Sequence, residues 1–464
     1  MERGSESDDE FRRPLEAAAR IADAWLEALP ARSIAPRVGI EGVKDALGRE
    51  LPGGASDPVE VVEALAAAVE PGLMAMQSAR FFGWVIGGTA PAALAADWLV
   101  SAWDQNAALR EVTPGVNAAE ELAGEWICEL FGLPATTVAG FTTGATTANL
   151  VALAAARHAV LEGVGWNDAE AGIQGAPRIR VLAGDEHHPS VDVALRVLGL
   201  GRAVDVASDD EGRLVPEALE AVMAGGEGPA IVCLQAGNIH SGASDPFEAS
   251  IAVARAAGAW VHVDGAFGLW AAASPRLRHL VSGVELADSW ATDAHKTLNV
   301  PYDAGIVAVA DPAHLVAAMT MHAAYLPAAE VGVDQADRVL ELSRRARGVP
   351  TYAALRTLGR DGVVDLVDGL VESARRLASG LGELPGVDVL NEVCFTQVCA
   401  ALDGRDVAAV AQALDADGVA LAHPSHWHGR DVLRFSVSNR STDAAAVEAA
   451  LAALRRVLAV PPSR

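Results

Sequence analysis

Short apolar runs alternate with helical stretches through the middle of the chain, and this alternation limits the folds open to it. The runs are RIRVLA, AVDVAS, AIVCLQA and AWVHVD. Each has the length and the β-branched content of a buried strand, and two parallel neighbours need a crossover connection that is usually a helix. The pattern therefore predicts an α/β fold with a mostly parallel sheet that is covered on both faces by helices.

Three regions are predicted around this sheet. Residues 1–75 form a helical segment, in which residues 1–12 are expected to be disordered and EAAARIADAWLEALPA is an amphipathic helix suited to packing on a second subunit. Residues 76–345 hold the large sheet. Residues 346–464 are predicted to form a smaller α/β domain, with strands in VDVLNEVCFTQVCAAL and DVLRFSVSNR.

Two features of the C-terminal region allow more than one interpretation. Residues 423–429 read HPSHWHG, which fits either a metal or pocket site or a surface loop near the site. Arg434 lies on the last predicted strand, where a structural salt bridge is favoured over binding of a substrate carboxylate.

Lys296 and Asp264 suggest cofactor chemistry. Lys296 follows His295 in DAHKTLNVPYDAG, and Asp264 ends the strand run AWVHVD. A lysine amine can condense with the aldehyde of pyridoxal 5′-phosphate (PLP), and a carboxylate can hold the proton on the cofactor's ring nitrogen. Either residue alone equally fits a structural role, as a surface pair or a helix cap. Together they favour a PLP site at the carboxyl end of a strand, where α/β folds place their ligands.

A candidate phosphate site precedes these residues. FTTGATTANLVALAAA, residues 141–156, is a Gly- and Thr-containing turn that leads directly into a helical pattern. The backbone N–H groups around Gly144, Ala145 and Thr146 would lie at the positive end of the helix dipole and are suited to binding a phosphate. An ordinary Thr-capped helix is the alternative.

Adjacent histidines occur in GDEHHPSV, residues 184–191, directly after the strand run RIRVLA. The two side chains should point to opposite sides, and His188 is predicted to lie against the cofactor ring. A pair of metal ligands is the alternative. Because no further Cys, His or carboxylate cluster with ligand spacing accompanies the pair, no metal site is predicted.

These motifs, in this order, resemble the group II PLP-dependent amino-acid decarboxylases, the family of the aromatic-L-amino-acid, tyrosine and glutamate decarboxylases. The resemblance extends to SARFFGWVIGGTAPAALAADWL, TPGVNAAEELAGEWICELFGLP, LQAGNIHSGASDPF, SRRARG and LRFSVSNRSTD. It covers most of the chain. It implies the PLP-dependent transferase fold of type I, a homodimer, and a small-molecule amino acid as substrate.

The resemblance also implies roles for single residues. Lys296, His188, Asp264 and His295 match catalytic positions. The positions that it places around the cofactor are Gly144, Ala145, Thr146, His188, Asn238, Asp264, Ala266, Asp293, His295 and Lys296. Trp84 and Pro114 match positions that line the substrate pocket, partly from the partner subunit.

One departure from the family concerns a mobile loop. Aromatic members carry a tyrosine there that is thought to return a proton to the substrate. Here the stretch LPAAEVGVDQADRVLELSRRARG contains no tyrosine, Tyr325 lies just before it, and Gln335 occupies the aligned region. Glutamine does not donate a proton as a phenol does. The resemblance implies decarboxylation of an aromatic or apolar L-amino acid to the amine and carbon dioxide. A transaminase or an aldehyde-forming relative of the same fold is the alternative.

Composition restricts the partners and the compartment. The chain has 464 residues and a formal net charge of −26, which disfavours nucleic acid and anionic membranes as partners. Its four cysteines lack CxxC spacing and are expected to be reduced thiols in a cytoplasmic protein. The N-terminus has no apolar signal region and no window reaches about 18 apolar residues, so neither secretion nor a membrane span is expected.

Overall fold

A large sheet forms the centre of the protein, whose computed structural model describes residues 4–321 and 332–460. Its seven strands within these residues are β1 (Val138–Thr142), β2 (Arg180–Gly184), β3 (Val204–Val206), β4 (Ala230–Gln235), β5 (Trp260–Asp264), β6 (Ser289–Asp293) and β7 (Gly305–Val309). Their order is β1-β7-β6-β5-β4-β2-β3, and only β7 runs antiparallel to its neighbours. The predicted α/β fold with a mostly parallel sheet is confirmed.

Helices precede, cover and follow this sheet. They are α1 (Gly4–Ala28), α2 (Ile40–Leu47), α3 (Pro58–Val69), α4 (Pro91–Trp103), α5 (Pro114–Phe131), α6 (Ala145–Glu162), α7 (Asp168–Ala171), α8 (Pro189–Val197), α9 (Pro216–Ala224), α10 (Phe247–Ala256), α11 (Pro312–Met319), α12 (Gly348–Gly382), α13 (Val407–Asp417) and α14 (Ala444–Ala459). Asp57, Asp311, Asp406 and Asp443 cap α3, α11, α13 and α14 by accepting hydrogen bonds from first-turn N–H groups. Among the helices in the described ranges, none has the length and apolar character that a membrane span requires.

Helix α1 starts earlier than the sequence suggested. It begins at Gly4, so the disorder predicted for residues 1–12 is wrong from Gly4 onward. The acidic residues in this part of the sequence suit a helix N-terminus, because negative charge there is stabilised by the helix dipole.

A second, antiparallel sheet lies in the C-terminal region. Its strands in the described residues are β8 (Val387–Val389), β9 (Gln397–Leu402), β10 (His423–Trp427) and β11 (Arg430–Ser436), in the order β10-β11-β9-β8. Much of the segment 423–429 is thus a strand and not the surface loop that was one interpretation of it. Pairing with β11 places His423 opposite Arg434.

Helix α12 contributes to both cores. Its course is broken at Gly359, where φ is 62°. Leu355 packs in the core of the large sheet, whereas Leu377 and Leu381 pack in the core of the small one. The predicted boundary at residue 345 lies just before this helix, and the division into domains stays a prediction.

The strand ends bring together the polar residues of the candidate site. Gln235, Asp264 and Asp293 are the last residues of the neighbouring strands β4, β5 and β6, and all three are buried. The turn between β1 and α6 reaches the same edge, because β1 runs parallel to β6 across β7. One edge of the sheet therefore carries both the carboxylates and the start of α6.

Candidate active site

A cavity of about 500 Å³ opens at this edge of the large sheet. The predicted site residues that line it are Trp84, Gly144, Ala145, Thr146, His188, Asp264, Ala266, Asp293, His295 and Lys296. These residues come from positions more than 200 apart in the chain, so the fold assembles them.

Asp264 is held in one orientation by three hydrogen-bond donors. Its Oδ2 accepts from Asn149 Nδ2 at 2.9 Å and from Ser190 Oγ at 3.3 Å, and its Oδ1 accepts from the Ala266 N–H at 3.2 Å. Only 5% of the residue is exposed. The three donors fix the orientation of a carboxylate that lines the cavity, where it can form a charge-assisted hydrogen bond to a ligand nitrogen.

A buried chain of polar side chains fixes Asn149 in turn. His262 Nε2 lies 2.9 Å from Asn149 Oδ1, and His262 Nδ1 lies 3.0 Å from Ser289 Oγ. Burial lowers the pKa of His262 to about 4, so its ring is neutral at physiological pH. Since the Asn149 amide nitrogen donates to Asp264, its oxygen must accept, and His262 therefore carries its proton on Nε2.

Lys296 is paired with Asp293 across the cavity floor. Lys296 Nζ lies 2.9 Å from Asp293 Oδ2, and the other oxygen of Asp293 accepts from the Ala145 N–H at 2.6 Å. Asp293 thus joins the lysine to the start of α6. One of the three predicted phosphate-turn residues, Ala145, already donates its amide to this carboxylate.

The rest of the turn stays open toward the cavity. The first N–H groups of a helix lack intrahelical partners, so those of Thr146 and Thr147 are available to an anion. Close approach of the turn to β7 depends on Gly305, where a Cβ would lie 2.4 Å from the Gly144 backbone. Thr143 and Thr147 add hydroxyls, with their Oγ1 atoms 3.0 Å apart.

His188 and His187 point to different surroundings. His188 lines the cavity and contacts Ser190 Oγ through Nδ1 at 2.8 Å, whereas His187 Nδ1 lies 2.7 Å from the Gly184 carbonyl oxygen and its Nε2 lies 3.3 Å from Asp192. Burial lowers the pKa of His188, and Asp264 acts in the opposite direction. His188 is neutral at pH 7 for this reason.

His295 is oriented by the backbone. Its Nδ1 accepts from the Ala304 N–H at 3.2 Å, and its ring lies 4.2 Å, centroid to centroid, from the ring of Tyr302. Burial lowers its pKa, with Asp293 opposing. Of the two, Lys296 lies closer to Asp293 Oδ2, with its Nζ at 2.9 Å against 3.6 Å for His295 Nε2.

Asn299 holds the lysine segment in place and was not identified from the sequence. It is fully buried at φ 57°, its Nδ2 donates to the carbonyl oxygens of Lys296 and Ser438, and its Oδ1 accepts from the Gly88 N–H at 2.7 Å. Gly87 packs beside it, where a Cβ would lie 2.1 Å from the Lys296 carbonyl oxygen. These contacts tie the lysine to the glycine-containing segment before α4.

Three residues that the sequence analysis named lie outside the cavity lining. Asn238 does not line the cavity, because its Oδ1 accepts from the His240 N–H and its Nδ2 donates to Glu186 Oε2; its neighbours Gly237 and Ile239 are in the lining instead. Pro114 is exposed at the start of α5, outside the lining. Gln335 is fully buried in a short 3₁₀ helix. Tyr325 lies outside the described residues.

Arg434 and Tyr302 are lining residues that the sequence reasoning did not assign to the site. Arg434 is 7% exposed, donates to the Ile239 carbonyl oxygen at 2.8 Å, and forms no salt bridge within the described residues, so the predicted structural ion pair is absent there. Desolvation lowers its pKa. Tyr302 lies six residues after Lys296 and is 55% exposed, and partial desolvation of its phenol beside the cavity raises its pKa to about 12. The cavity therefore holds an unpaired cation and a protonated phenol.

The donor set fits PLP. An amine lies at Lys296, a carboxylate held by three donors lies at Asp264, and free amides mark the start of α6. These are the groups that an aldehyde, a pyridine nitrogen and a phosphate each need.

Comparisons with known proteins agree with this chemistry. Residues 43–403 match the pyridoxal-dependent decarboxylase conserved domain. The chain is 29% identical over 472 residues to tryptophan decarboxylase 1 of Oryza sativa subsp. japonica, which covers 93% of this chain and 90% of that protein. It is 26% identical over 358 residues to phenylacetaldehyde synthase of Arabidopsis thaliana, with 73% and 72% covered. The crystal structure of Oryza sativa TDC with PLP and tryptamine superposes with a TM-score of 0.90 at 25% identity, over 97% of this chain and 98% of that one.

Proposed function

The chain belongs to the pyridoxal-dependent decarboxylase family, and on this premise we propose its substrate class and the roles of its site residues. The protein is a PLP-dependent carboxy-lyase that acts on an amino acid. We assign it an L-amino acid with an aromatic or apolar side chain as substrate, and the amine and carbon dioxide as products. The observation that carries this assignment is a cavity in which apolar walls enclose a buried arginine that has no acid partner in the described chain.

The walls favour an aromatic or apolar side chain. Trp84, Ile86, Ile239 and Phe267 line the cavity. Apolar surfaces of this kind bind flat, apolar groups, and an aromatic side chain contributes both its area and its ring geometry. The names of two relatives, tryptophan decarboxylase 1 and phenylacetaldehyde synthase, are consistent with an aromatic substrate.

The site residues would hold the cofactor at three points. PLP, when bound, withdraws electrons from the bonds at the substrate Cα. Lys296 would hold its aldehyde, Asp264 would keep a proton on its ring nitrogen, and Thr146 with Thr147 would bind its phosphate. His188 would pack against its ring, oriented by Ser190.

Arg434 would orient the substrate. A guanidinium binds a carboxylate through paired N–H donors, and a desolvated one has a strong preference for such a partner. Which bond at Cα breaks depends on which one stands perpendicular to the cofactor ring, so a fixed carboxylate selects the reaction. Family membership favours loss of the carboxyl group over transamination.

Tyr302 is the candidate for returning a proton to Cα. Among the described residues it is the tyrosine that lines the cavity, and with a pKa of about 12 its phenol is protonated at pH 7. Without such a donor the alternative outcome is oxidation: the amino acid, one molecular oxygen and one water would give the aldehyde, carbon dioxide, ammonia and hydrogen peroxide. The phenylacetaldehyde synthase relative and the absence of a tyrosine from the sequence stretch 326–348 support this aldehyde-forming reaction as the second candidate function.

A product screen tests these assignments. Purified protein with added PLP is incubated with each common L-amino acid, and carbon dioxide, amine, ammonia, keto acid and hydrogen peroxide are measured. We expect carbon dioxide and amine in equal amounts from aromatic substrates. Carbon dioxide with ammonia and peroxide would establish the aldehyde-forming reaction. Turnover restricted to acidic amino acids would contradict the substrate assignment. It would indicate that Arg434 binds the carboxylate of the substrate's side chain.

The cofactor lysine can be tested with little background, because the chain contains only two lysines, Lys44 and Lys296. Lys44 is exposed on α2 and pairs with Glu41. Borohydride reduction followed by peptide mass analysis should find the pyridoxyl group on Lys296 in the wild type and in Lys44→Arg. An adduct on Lys44, or an unchanged yield in Lys296→Arg, would contradict the assignment.

We also propose that the protein is a homodimer, which would explain why the cavity rim is exposed. Trp84 at the rim is 42% exposed, and Trp98 and Trp103 on α4 are 44% and 49% exposed. A second copy packed here would cover these side chains and could bring its Pro114 to the site. Light scattering coupled to size exclusion measures the oligomeric state directly, and a monomer with full activity would contradict the proposed homodimer.

We also propose a cytoplasmic location. The four free thiols support it, because thiols stay reduced in that compartment.

A further inference from the structure

Three side chains of the kind that can bind a metal meet near the C-terminal end of α6, away from the cavity. His158 and Glu162 are one turn apart on α6, and His314 faces them from α11. Their ligand atoms all lie within 4.8 Å of one another, and His314 Nδ1 is 3.6 Å from Glu162 Oε2. Position His158 is 14 residues along the helix from Gly144, so the group lies roughly 20 Å from the start of α6.

The two histidines are prepared for a further partner. His158 Nδ1 lies 2.8 Å from the buried carboxylate of Asp168, which orients the ring and leaves Nε2 available. Carboxylates in this position typically orient histidines that bind metals. His314 Nδ1 is buried and has no hydrogen-bond partner in the described chain, since Glu162 lies beyond hydrogen-bond distance. A buried nitrogen without a partner is costly unless a ligand binds it.

We propose that this group, His158, Glu162 and His314, binds a divalent zinc ion. Two imidazoles and one carboxylate, with a fourth position left to water, form a common zinc ligand set with bonds of about 2.0–2.2 Å. Tetrahedral geometry at such bond lengths separates the donors by about 3.4 Å. The ligand atoms must therefore approach one another by up to about 1.4 Å. Glu162 can move in this way because its side chain is 64% exposed.

The ion would join two helices that pack against each other. Helix α6 begins at the candidate phosphate turn and α11 follows β7, so the site lies on the scaffold and not in the cavity. Zinc should therefore raise thermal stability without being needed for turnover. His314 lies on a different helix from His158 and Glu162 and far from them in the chain, which is why the sequence indicated no metal site.

Zinc titration of the holoenzyme tests the proposal. The protein is treated with a chelator, dialysed and titrated with zinc chloride by calorimetry. We expect one site per chain in the wild type, and an affinity at least tenfold weaker in Glu162→Gln and in His314→Ala. His426→Ala is the matched control, because His426 is an exposed histidine that also pairs with a carboxylate, Asp431, and is expected to bind zinc as the wild type does.

Thermal unfolding provides a second readout that does not depend on activity. Zinc should raise the midpoint of the wild type and of His426→Ala but not that of Glu162→Gln, whose exposed side chain can be changed without disturbing the core. Absence of a stoichiometric site in the wild type would overturn the proposal. Wild-type affinity in Glu162→Gln, or a loss of affinity confined to His426→Ala, would overturn it as well.

Discussion

Replacing Asp264 by asparagine tests the charge at the centre of the site. The side chain keeps its size, but it can no longer carry the negative charge that Asn149, Ser190 and the Ala266 N–H stabilise. Removing one partner of a buried ion pair costs roughly 3–5 kcal/mol. If this loss falls on the transition state, and each factor of ten corresponds to about 1.4 kcal/mol, kcat should fall by about two to nearly four powers of ten.

The assay must separate lost chemistry from lost cofactor. Carbon dioxide release is measured at saturating amino acid and excess PLP, and borohydride trapping on Lys296 measures how much cofactor each variant holds. We expect Asp264→Asn to retain trapped cofactor while kcat falls. Ser190→Ala is the graded control: it removes the 3.3 Å contact and leaves the charge, so its kcat should stay within about tenfold of the wild type.

The outcome that refutes this reasoning is a cofactor-loaded Asp264→Asn enzyme with kcat within tenfold of the wild type. The negative charge of Asp264 would then have no effect on the bonds that react at the substrate Cα. An equal defect in Ser190→Ala and Asp264→Asn would also count against it, because it would show that the hydrogen-bond network matters and the charge does not.

Four further outcomes are expected. Arg434→Leu should lower kcat/KM about ten- to hundredfold, mainly through KM, because a charged hydrogen bond contributes about 1.5–3 kcal/mol; steady-state kinetics checks this. Tyr302→Phe should shift products from amine toward aldehyde and peroxide, and an unchanged product ratio would exclude its phenol as the proton donor. Glu120 and Arg344 form a fully buried salt bridge, with Arg344 Nη1 2.6 Å from Glu120 Oε2. Glu120→Gln should lower the free energy of unfolding by about 3–5 kcal/mol in urea titrations, because it would leave the buried charge of Arg344 without a counter-charge. The neutral ring of His262, with a pKa of about 4 in the fold against about 6.5 unfolded, stabilises the fold above pH 6.5, and this stability is lost as pH falls toward 4. The stability advantage of the wild type over His262→Gln should therefore shrink by about 3 kcal/mol over that range, as urea titrations at several pH values would show.

The sequence predicted the parts of the site that depend on local signals. Asp264 ends the predicted strand AWVHVD, and glycine and threonine mark the turn that leads into α6, so both could be placed before the fold was known. Strand β6, which ends three residues before Lys296, was not predicted. Parallel pairing of β4, β5 and β6 then brings these ends together without further information.

Residues whose role depends on contacts between distant segments could not be predicted in this way. Arg434 reaches the cavity only because β10 and β9 flank β11 and place it beside Ile239, and Asn299 acts by joining Lys296 to Ser438 and Gly88. Asn238 shows the opposite error. It lies between the lining residues Gly237 and Ile239, but its side chain accepts a hydrogen bond from the His240 N–H within the turn and does not face the cavity.

The charges around the cavity explain why the distant arginine matters most. Each anion of the site is already engaged, Asp293 with Lys296 and Asp264 with its three donors. Arg434 has only the Ile239 carbonyl oxygen and no carboxylate in the described chain, so its guanidinium lacks a nearby counter-charge. An amino-acid carboxylate supplies that charge, and its desolvation on entering the cavity is offset by the buried guanidinium. The product amine has no carboxylate to pair with the buried guanidinium of Arg434. It should therefore bind more weakly than the substrate, which favours its release after carbon dioxide has left.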